Sequence, residues 1–201
     1  MILTCSPAAL KDLEILLQEG FLVNITTGIT VRKTLTLLGF SDTYINERIK
    51  TIFLNSRPLD DLDRTTTGPG DILSLSGAMP GLVGAVMRVG SYLAPFRKNI
   101  SENTRAEKAE SGTELLKMKL FNIILRDSGS AFLERGILLA PRQLEKFFLS
   151  RDEEFFKDCS QLTAGDRVLV PGPMAIQEAA LKDKLIEFRA MTGKNSTTTG
   201  R

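Results

Sequence analysis

Three places in this chain carry side chains whose types and spacing suit chemistry. Asp60, Asp61 and Asp63 bring three carboxylates close together, and hard oxygen ligands of this kind suit magnesium or calcium. They lack the glycine and the distal glutamate of a calcium loop, and aspartates are ordinary turn formers, so turn chemistry is the favoured reading. Gly77, Met79, Pro80, Gly81 and Gly84, followed by Arg88, Arg97 and Lys98, form a glycine-rich segment with cations beside it. Backbone amides in such loops cradle anions, which makes these eight the candidate binding residues. Their spacing matches neither Gly-x-Gly-x-x-Gly nor Gly-x4-Gly-Lys-Ser/Thr, and a closely packed connector is the favoured reading. Cys5 and Cys159 lack metal-ligand spacing and read as buried or partly buried thiols. No cofactor and no metal is expected.

Composition narrows the chemistry further. None of the 201 residues is histidine, which removes Ser-His-Asp and Cys-His catalysis, histidine general bases and histidine metal ligation together. A noncatalytic protein is therefore expected. Lys plus Arg number 26 against 24 for Asp plus Glu, so the net charge of +2 exerts no global pull on nucleic acid or anionic lipid. A local excess exists where Arg88, Arg97, Lys98, Arg105 and Lys108 face Glu102 and Glu107, but few aromatics stand among them to stack bases. A solvated linker is favoured there over an anion or RNA site. The most apolar stretch, residues 78–96, is interrupted by Arg88, two prolines and three glycines, so no membrane span is expected. Two cysteines and no basic leader point to a cytoplasmic protein.

The elements that must position these residues follow from local signals. Ser6-Pro7 starts a helix carrying Leu10, Leu13, Leu16 and Leu17 on one face and closing at Gly20. Residues 21–26 and 29–32 read as a hairpin about Thr27-Gly28, residues 34–38 as a short helix, and Ser41 as the cap of another turn. Strands are expected at 51–54 and 72–76, with an edge piece at 57–59, where Pro58 can donate no ladder hydrogen bond. Ile72, Leu73 and Leu75 are apolar on both faces, which suits an interior strand.

The order of hairpin, helix, strand, edge piece, turn and final strand is that of the ubiquitin-like β-grasp. Ile52-Phe53-Leu54-Asn55-Ser56-Arg57-Pro58-Leu59, followed by Gly70-Asp71-Ile72-Leu73-Ser74-Leu75, resembles the sulfur-carrier proteins of molybdopterin and thiamine biosynthesis. The resemblance covers about residues 21–81. It implies a carrier whose last strand leads to a free terminal Gly-Gly, which is adenylated and converted to a thiocarboxylate. Here Gly81 stands at the comparable place but is followed by Leu82 and more than a hundred residues, so carrier chemistry would need cleavage near Gly81.

Beyond Gly81, residues 82–96 are expected to pack as an apolar connector, and residues 98–114 to form a polar linker. Strands are expected at 115–125, 132–139 and after Gly165-Asp166, with a turn at 127–129. Helices are expected from Pro141 and over 175–191, with a capping box at 150–153 and a disordered tail from 192. Phe21 to Gly70 spans 49 residues and Lys119 to Gly165 spans 46, a similarity that suggests a diverged internal repeat. The expected architecture is α+β: a β-grasp domain at 1–84, a connector at 85–114 and a second α+β unit at 115–191 built from the same local rules. The expected function is a noncatalytic protein-interaction module with a protein partner or a second copy. The alternatives are a fused sulfur-carrier-like protein and a small anion- or RNA-binding protein.

Overall fold

The amino end is a strand that the sequence reading missed, Ile2–Cys5 (β1). In the computed structural model, which describes residues 1–97, 100–101, 112–172, 174–175 and 184–193, it is followed by Pro7–Asp12 (α1) and Glu14–Glu19 (α2). Ser6 caps α1 as expected, its hydroxyl accepting from the Ala9 amide at 3.2 Å. The expected single helix is broken at Leu13.

Phe21–Thr26 (β2) forms as read, but residues 29–32 do not return as its hairpin partner. Thr30 instead caps Val31–Leu37 (α3), accepting from the Lys33 amide at 3.3 Å. Asp42–Glu47 (α4), Thr51–Leu54 (β3), Arg57–Pro58 (β4) and Ile72–Ser76 (β5) follow at their expected places. The partner of β2 is Thr113–Leu120 (β6), antiparallel to it from Phe21↔Met118 to Thr26↔Thr113. β6 also runs parallel to β5, and β5 pairs antiparallel with β3, which pairs with β4. The sheet order is thus β4-β3-β5-β6-β2. Leu73 and Leu75 are fully buried in its interior strand.

After β6 the structure corrects the sequence reading. Residues 122–135 are one helix, Asn122–Arg135 (α6), where a strand end, a turn and a second strand were expected. Its buried Ile124, Leu125, Phe132 and Leu133 recur at helical spacing, and that stripe outweighs the local turn preference of Asp127-Ser128-Gly129. Ile137–Leu139 (β7), Pro141–Leu149 (α7), Glu153–Lys157 (α8), Cys159–Ala164 (β8) and Arg167–Leu169 (β9) follow. Asp152, not Ser150, caps α8, accepting from the Phe155 amide at 3.0 Å. Residues 186–192, expected as the end of a helix, are the strand Ile186–Thr192 (β10). Buried Ile186, Phe188 and Ala190 alternate there with exposed Glu187 and Arg189, a period of two. Ile176, Ala180, Leu181 and the tail from 194 lie outside the described residues.

Contacts gather residues 17–129 into one unit and residues 1–16 with 130–201 into another. In the second of these the sheet order is β9-β8-β1-β10-β7. β1 is parallel to β10 and antiparallel to β8, while β10 and β7 are antiparallel, as are β8 and β9. Five rings, Phe147, Phe148, Phe155, Phe156 and Phe188, interlock beneath it at centroid separations of 5.3 to 6.5 Å.

A similar element order runs from β1 to β5 and again from β6 to β10: a strand, helical structure (α1 and α2 in the first run, the single α6 in the second), a strand, two helices, then three strands. Each of these five-strand runs has a parallel pair at its centre, with one strand from the first half of the chain and one from the second. β6 lies beside β5, and β1 lies beside β10. The boundary expected at residue 84 therefore falls inside the 17–129 unit. The turn that corresponds to Gly165-Asp166 between β8 and β9 is Asn55-Ser56 between β3 and β4, not Gly70-Asp71.

Candidate functional site

The residues that carry the sulfur-carrier resemblance are bound up in local structure. Asn55 and Ser56 have positive φ, 52° and 67°, the conformation of a tight two-residue hairpin turn. The Asn55 carboxamide accepts from the Ile72 amide at 2.9 Å and donates to buried Asp71 at 2.7 Å, while Asp71 accepts from the Gly68 amide at 2.8 Å. Asn at 55 and Asp at 71 thus tie the hairpin turn to the start of β5.

Past β5 the chain forms a helical hairpin, Gly81–Met87 (α5) and the single 3-10 turn Ala94–Arg97. Arg97 fastens it. Its side chain is 1% exposed and all five of its N–H donors are used. Nε donates to the Val86 carbonyl at 2.7 Å; Nη1 donates to Asp60 Oδ2 and Ser101 Oγ, both at 2.8 Å; Nη2 donates to Asp60 Oδ1 at 2.7 Å and the Arg88 carbonyl at 3.1 Å. Asp60 also accepts from the Gly90 amide at 3.1 Å, and the Val89 amide donates to the Lys50 carbonyl at 2.9 Å. The bidentate fork to Asp60, the two carbonyls and the Ser101 hydroxyl leave Arg97 no donor for an anion.

Each of the other candidates has a definite place. Gly77 is buried, and a Cβ there would lie 2.4 Å from a methyl of Ile123. Gly84 is buried, and its Cβ would lie 2.0 Å from the Met79 carbonyl oxygen. Both are glycine because neighbours approach closely, not because a ligand does. Met79 is half-buried, Pro80 stands at the N-cap of α5, and Gly81, at φ 76° with open space about it, begins the helix. Arg88 is exposed. Lys98, Glu102, Arg105, Glu107 and Lys108 lie outside the described residues. The aspartates separate: Asp61 accepts from the Asp63 and Arg64 amides, and Asp63 pairs with Arg32 at 2.6 Å. Among the described residues no group of three or more acids and cysteines is set to hold a metal.

Burial of residues 82–96, expected from their apolarity, is not what the fold does with them. Leu82 is 73% exposed, Val83 69%, Tyr92 86% and Phe96 82%. The hairpin is short and pinned through its polar backbone and Arg97; Leu82, Val83, Tyr92 and Phe96 turn outward, while Val86, Met87, Val89 and Leu93 are half-buried. Sequence reasoning named the segment and missed this outcome, because apolarity says that a surface must be covered but not by what.

Elsewhere in the 17–129 unit, Tyr44 donates to Asp127 Oδ2 at 3.1 Å and Arg48 Nη2 donates to the same oxygen at 3.0 Å. The Arg48 hydrogen bond, helped by that of Tyr44, holds the Asp127 carboxyl below its ordinary value. A cavity of about 200 Å³ is lined by Asn24, Ile25, Thr26, Ile29, Thr34 and their neighbours, none of them charged and none of them a candidate residue. Among the described residues no helix is long and apolar enough to cross a membrane. Comparison with protein-family models, curated proteins and solved structures found no match to this chain.

Proposed function

We propose that this chain is a noncatalytic protein-interaction module on a duplicated β-grasp scaffold, and that its docking face is the hairpin of α5 and the following 3-10 turn. The observation that carries this reading is the exposure of Leu82, Val83, Tyr92 and Phe96 on a hairpin whose base is held by the five bonds of Arg97. Large side chains on a rigid support lose little entropy on docking, which makes them effective anchors. Burying each yields about 1.5–3 kcal/mol, so four together are of the order of the cost of association. That supports a partnership of modest strength.

The scaffold reading rests on topology. A β-grasp sheet has two parallel central strands, an antiparallel strand on either side and a short hairpin strand beyond; the strand directions in both runs support this reading, with β5 beside the hairpin in the first and β1 in the second. The partner best suited to the hairpin is a second copy of the chain. An apolar strip is self-complementary across a two-fold axis, and a net charge of only +2 adds little repulsion between copies.

Sedimentation across a concentration series tests this. The native chain is expected to dimerise, and the Leu82→Asp, Phe96→Asp double variant to stay monomeric with an unchanged thermal midpoint. A native chain that remains monomeric at about 100 μM removes the second copy as the partner.

The carrier reading keeps one supporting observation, the open surface around Gly81, where burial does not shield the backbone from a protease. Intact-mass analysis of the native protein separates the two readings. A single uncut chain is expected; a major species ending at Gly81, or one bearing a terminal thiocarboxylate, favours the carrier.

A further inference from the structure

The chain has two cysteines, 154 residues apart in sequence, and the fold sets them opposite each other as Cys5↔Cys159 on the antiparallel strands β1 and β8. A β-bulge makes this possible. Leu3 faces Leu162 and Thr4 faces Gln161, so in a regular ladder Cys5 would face Ser160 and Cys159 would point the other way. The register shifts between Thr4 and Cys5, leaving Ser160 as the extra residue, with its hydroxyl donating to the Thr4 carbonyl at 3.2 Å. Ser160 and Gln161 are both exposed, and Cys159 returns to the buried face with Leu162.

The pair is of the close kind. The Cys5 carbonyl accepts from the Gly193 amide at 3.3 Å, away from β8, while the next residue, Ser6, donates its amide to the Asp158 carbonyl at 2.8 Å. Cys5 and Cys159 are therefore a non-hydrogen-bonded pair, in which Cα atoms lie about 4.5 Å apart and side chains approach most closely. That separation falls inside the range disulfides span, about 4.4–6.8 Å.

We propose that Cys5 and Cys159 are a modification site, a thiol pair that closes to a cross-strand disulfide and fastens β1 into the sheet formed by the second repeat. The oxidant is a small-molecule disulfide of the glutathione class. One cysteine, as thiolate, attacks a sulfur of that disulfide, forms a mixed disulfide and releases one small thiolate. The other cysteine, as thiolate, then attacks the protein-bound sulfur, forms the Cys5–Cys159 bond and releases the second small thiolate. Two protein sulfurs are oxidised, the two sulfurs of the small disulfide are reduced, and the two protons pass from the cysteines to the released thiolates.

The closed sheet reacts slowly. Burial pushes the Cys5 thiol up to about 11 and that of Cys159 up to about 12, with the Asp158 carboxylate adding to both, and Cys159 donates to the Phe155 carbonyl at 3.3 Å. Reaction needs the end of β1 to open, and the bond then prevents it from opening again.

The test uses the full chain, folded and, separately, refolded from denaturant in a buffer of reduced and oxidised glutathione, where access is not limiting. Non-reducing peptide mapping is expected to find the peptides of residues 5 and 159 linked within one chain. The thermal midpoint of the oxidised form should rise by about 5–15 °C and return to its former value with dithiothreitol. Cys5→Ser and Cys159→Ser should each carry glutathione on the remaining cysteine and show no rise. Two free thiols after refolding, glutathione on both cysteines without a link, or a link between chains only would each overturn the proposal.

Discussion

Arg97 and Asp60 set the terms for the hairpin of α5 and the 3-10 turn, because one guanidinium gathers a carboxylate, a hydroxyl and two backbone carbonyls. Removing its anion leaves a buried charge, and removing the cation takes the donor from the Asp60 carboxylate and from the Val86 and Arg88 carbonyls. Asp60→Asn should therefore destabilise by about 2–3 kcal/mol and Arg97→Met by at least as much, compared by thermal melts. An unchanged midpoint in either variant would show that the ion pair does not hold the hairpin. Asp127 offers a pH-dependent counterpart. Its carboxyl is held below the ordinary value, chiefly by the Arg48 hydrogen bond, so its contribution to stability is complete above that value and is lost as pH falls through the lower, folded one. Between about pH 5 and pH 3 the native chain should lose slightly more stability than Asp127→Asn, by a small margin because exposed ion pairs contribute little.

At the scale of elements, the interior strand β5 is the sharpest test of the sheet. Leu75 is fully buried between β3 and β6, where it faces Ile52 and Leu120. Leu75→Asp would bury an unpaired charge and should cost several kcal/mol, about 3–5. An unchanged thermal midpoint would remove β5 from the interior. The bulge in β8 is a second such device, since one extra residue decides which side chains share the buried face.

For the whole molecule, pairing between strands far apart in sequence decides what can fold alone. A fragment of residues 1–84 lacks β6, so β5 and β2 lose the partner that joins them, and the apolar face of β6 with Leu116, Met118 and Leu120 is absent. That fragment is expected to be poorly soluble and to melt without a cooperative transition. Mixing it with residues 85–201 during refolding should restore a folded complex, read by circular dichroism and sedimentation. A soluble, sharply melting fragment on its own would show that the borrowed strand is dispensable.

Much of the local structure was legible in the residues themselves. Ser6-Pro7, Ser41 and Pro141 mark helix starts because the chemistry of capping and of the proline ring acts within a few residues. Strands β2, β3 and β5 and the strand after Gly165-Asp166 stood at their expected places for the same reason, as did the α+β class. The ends of the second half were misread where two local signals competed: a turn-forming triplet inside the helical stripe of α6, and an alternating apolar run after 185 that continued a helical-looking one. Tertiary structure alone decided the rest. Neither the choice of β6 over residues 29–32 as the partner of β2, nor the seating of β1 beside β10, has a local signature, because strand pairing joins residues about a hundred positions apart or more. The same holds for Arg97 finding Asp60, for Cys5 facing Cys159, and for the outward turn of Leu82 and Phe96. The sequence sets which groups need a partner; only the folded chain supplies the partner or leaves the surface open.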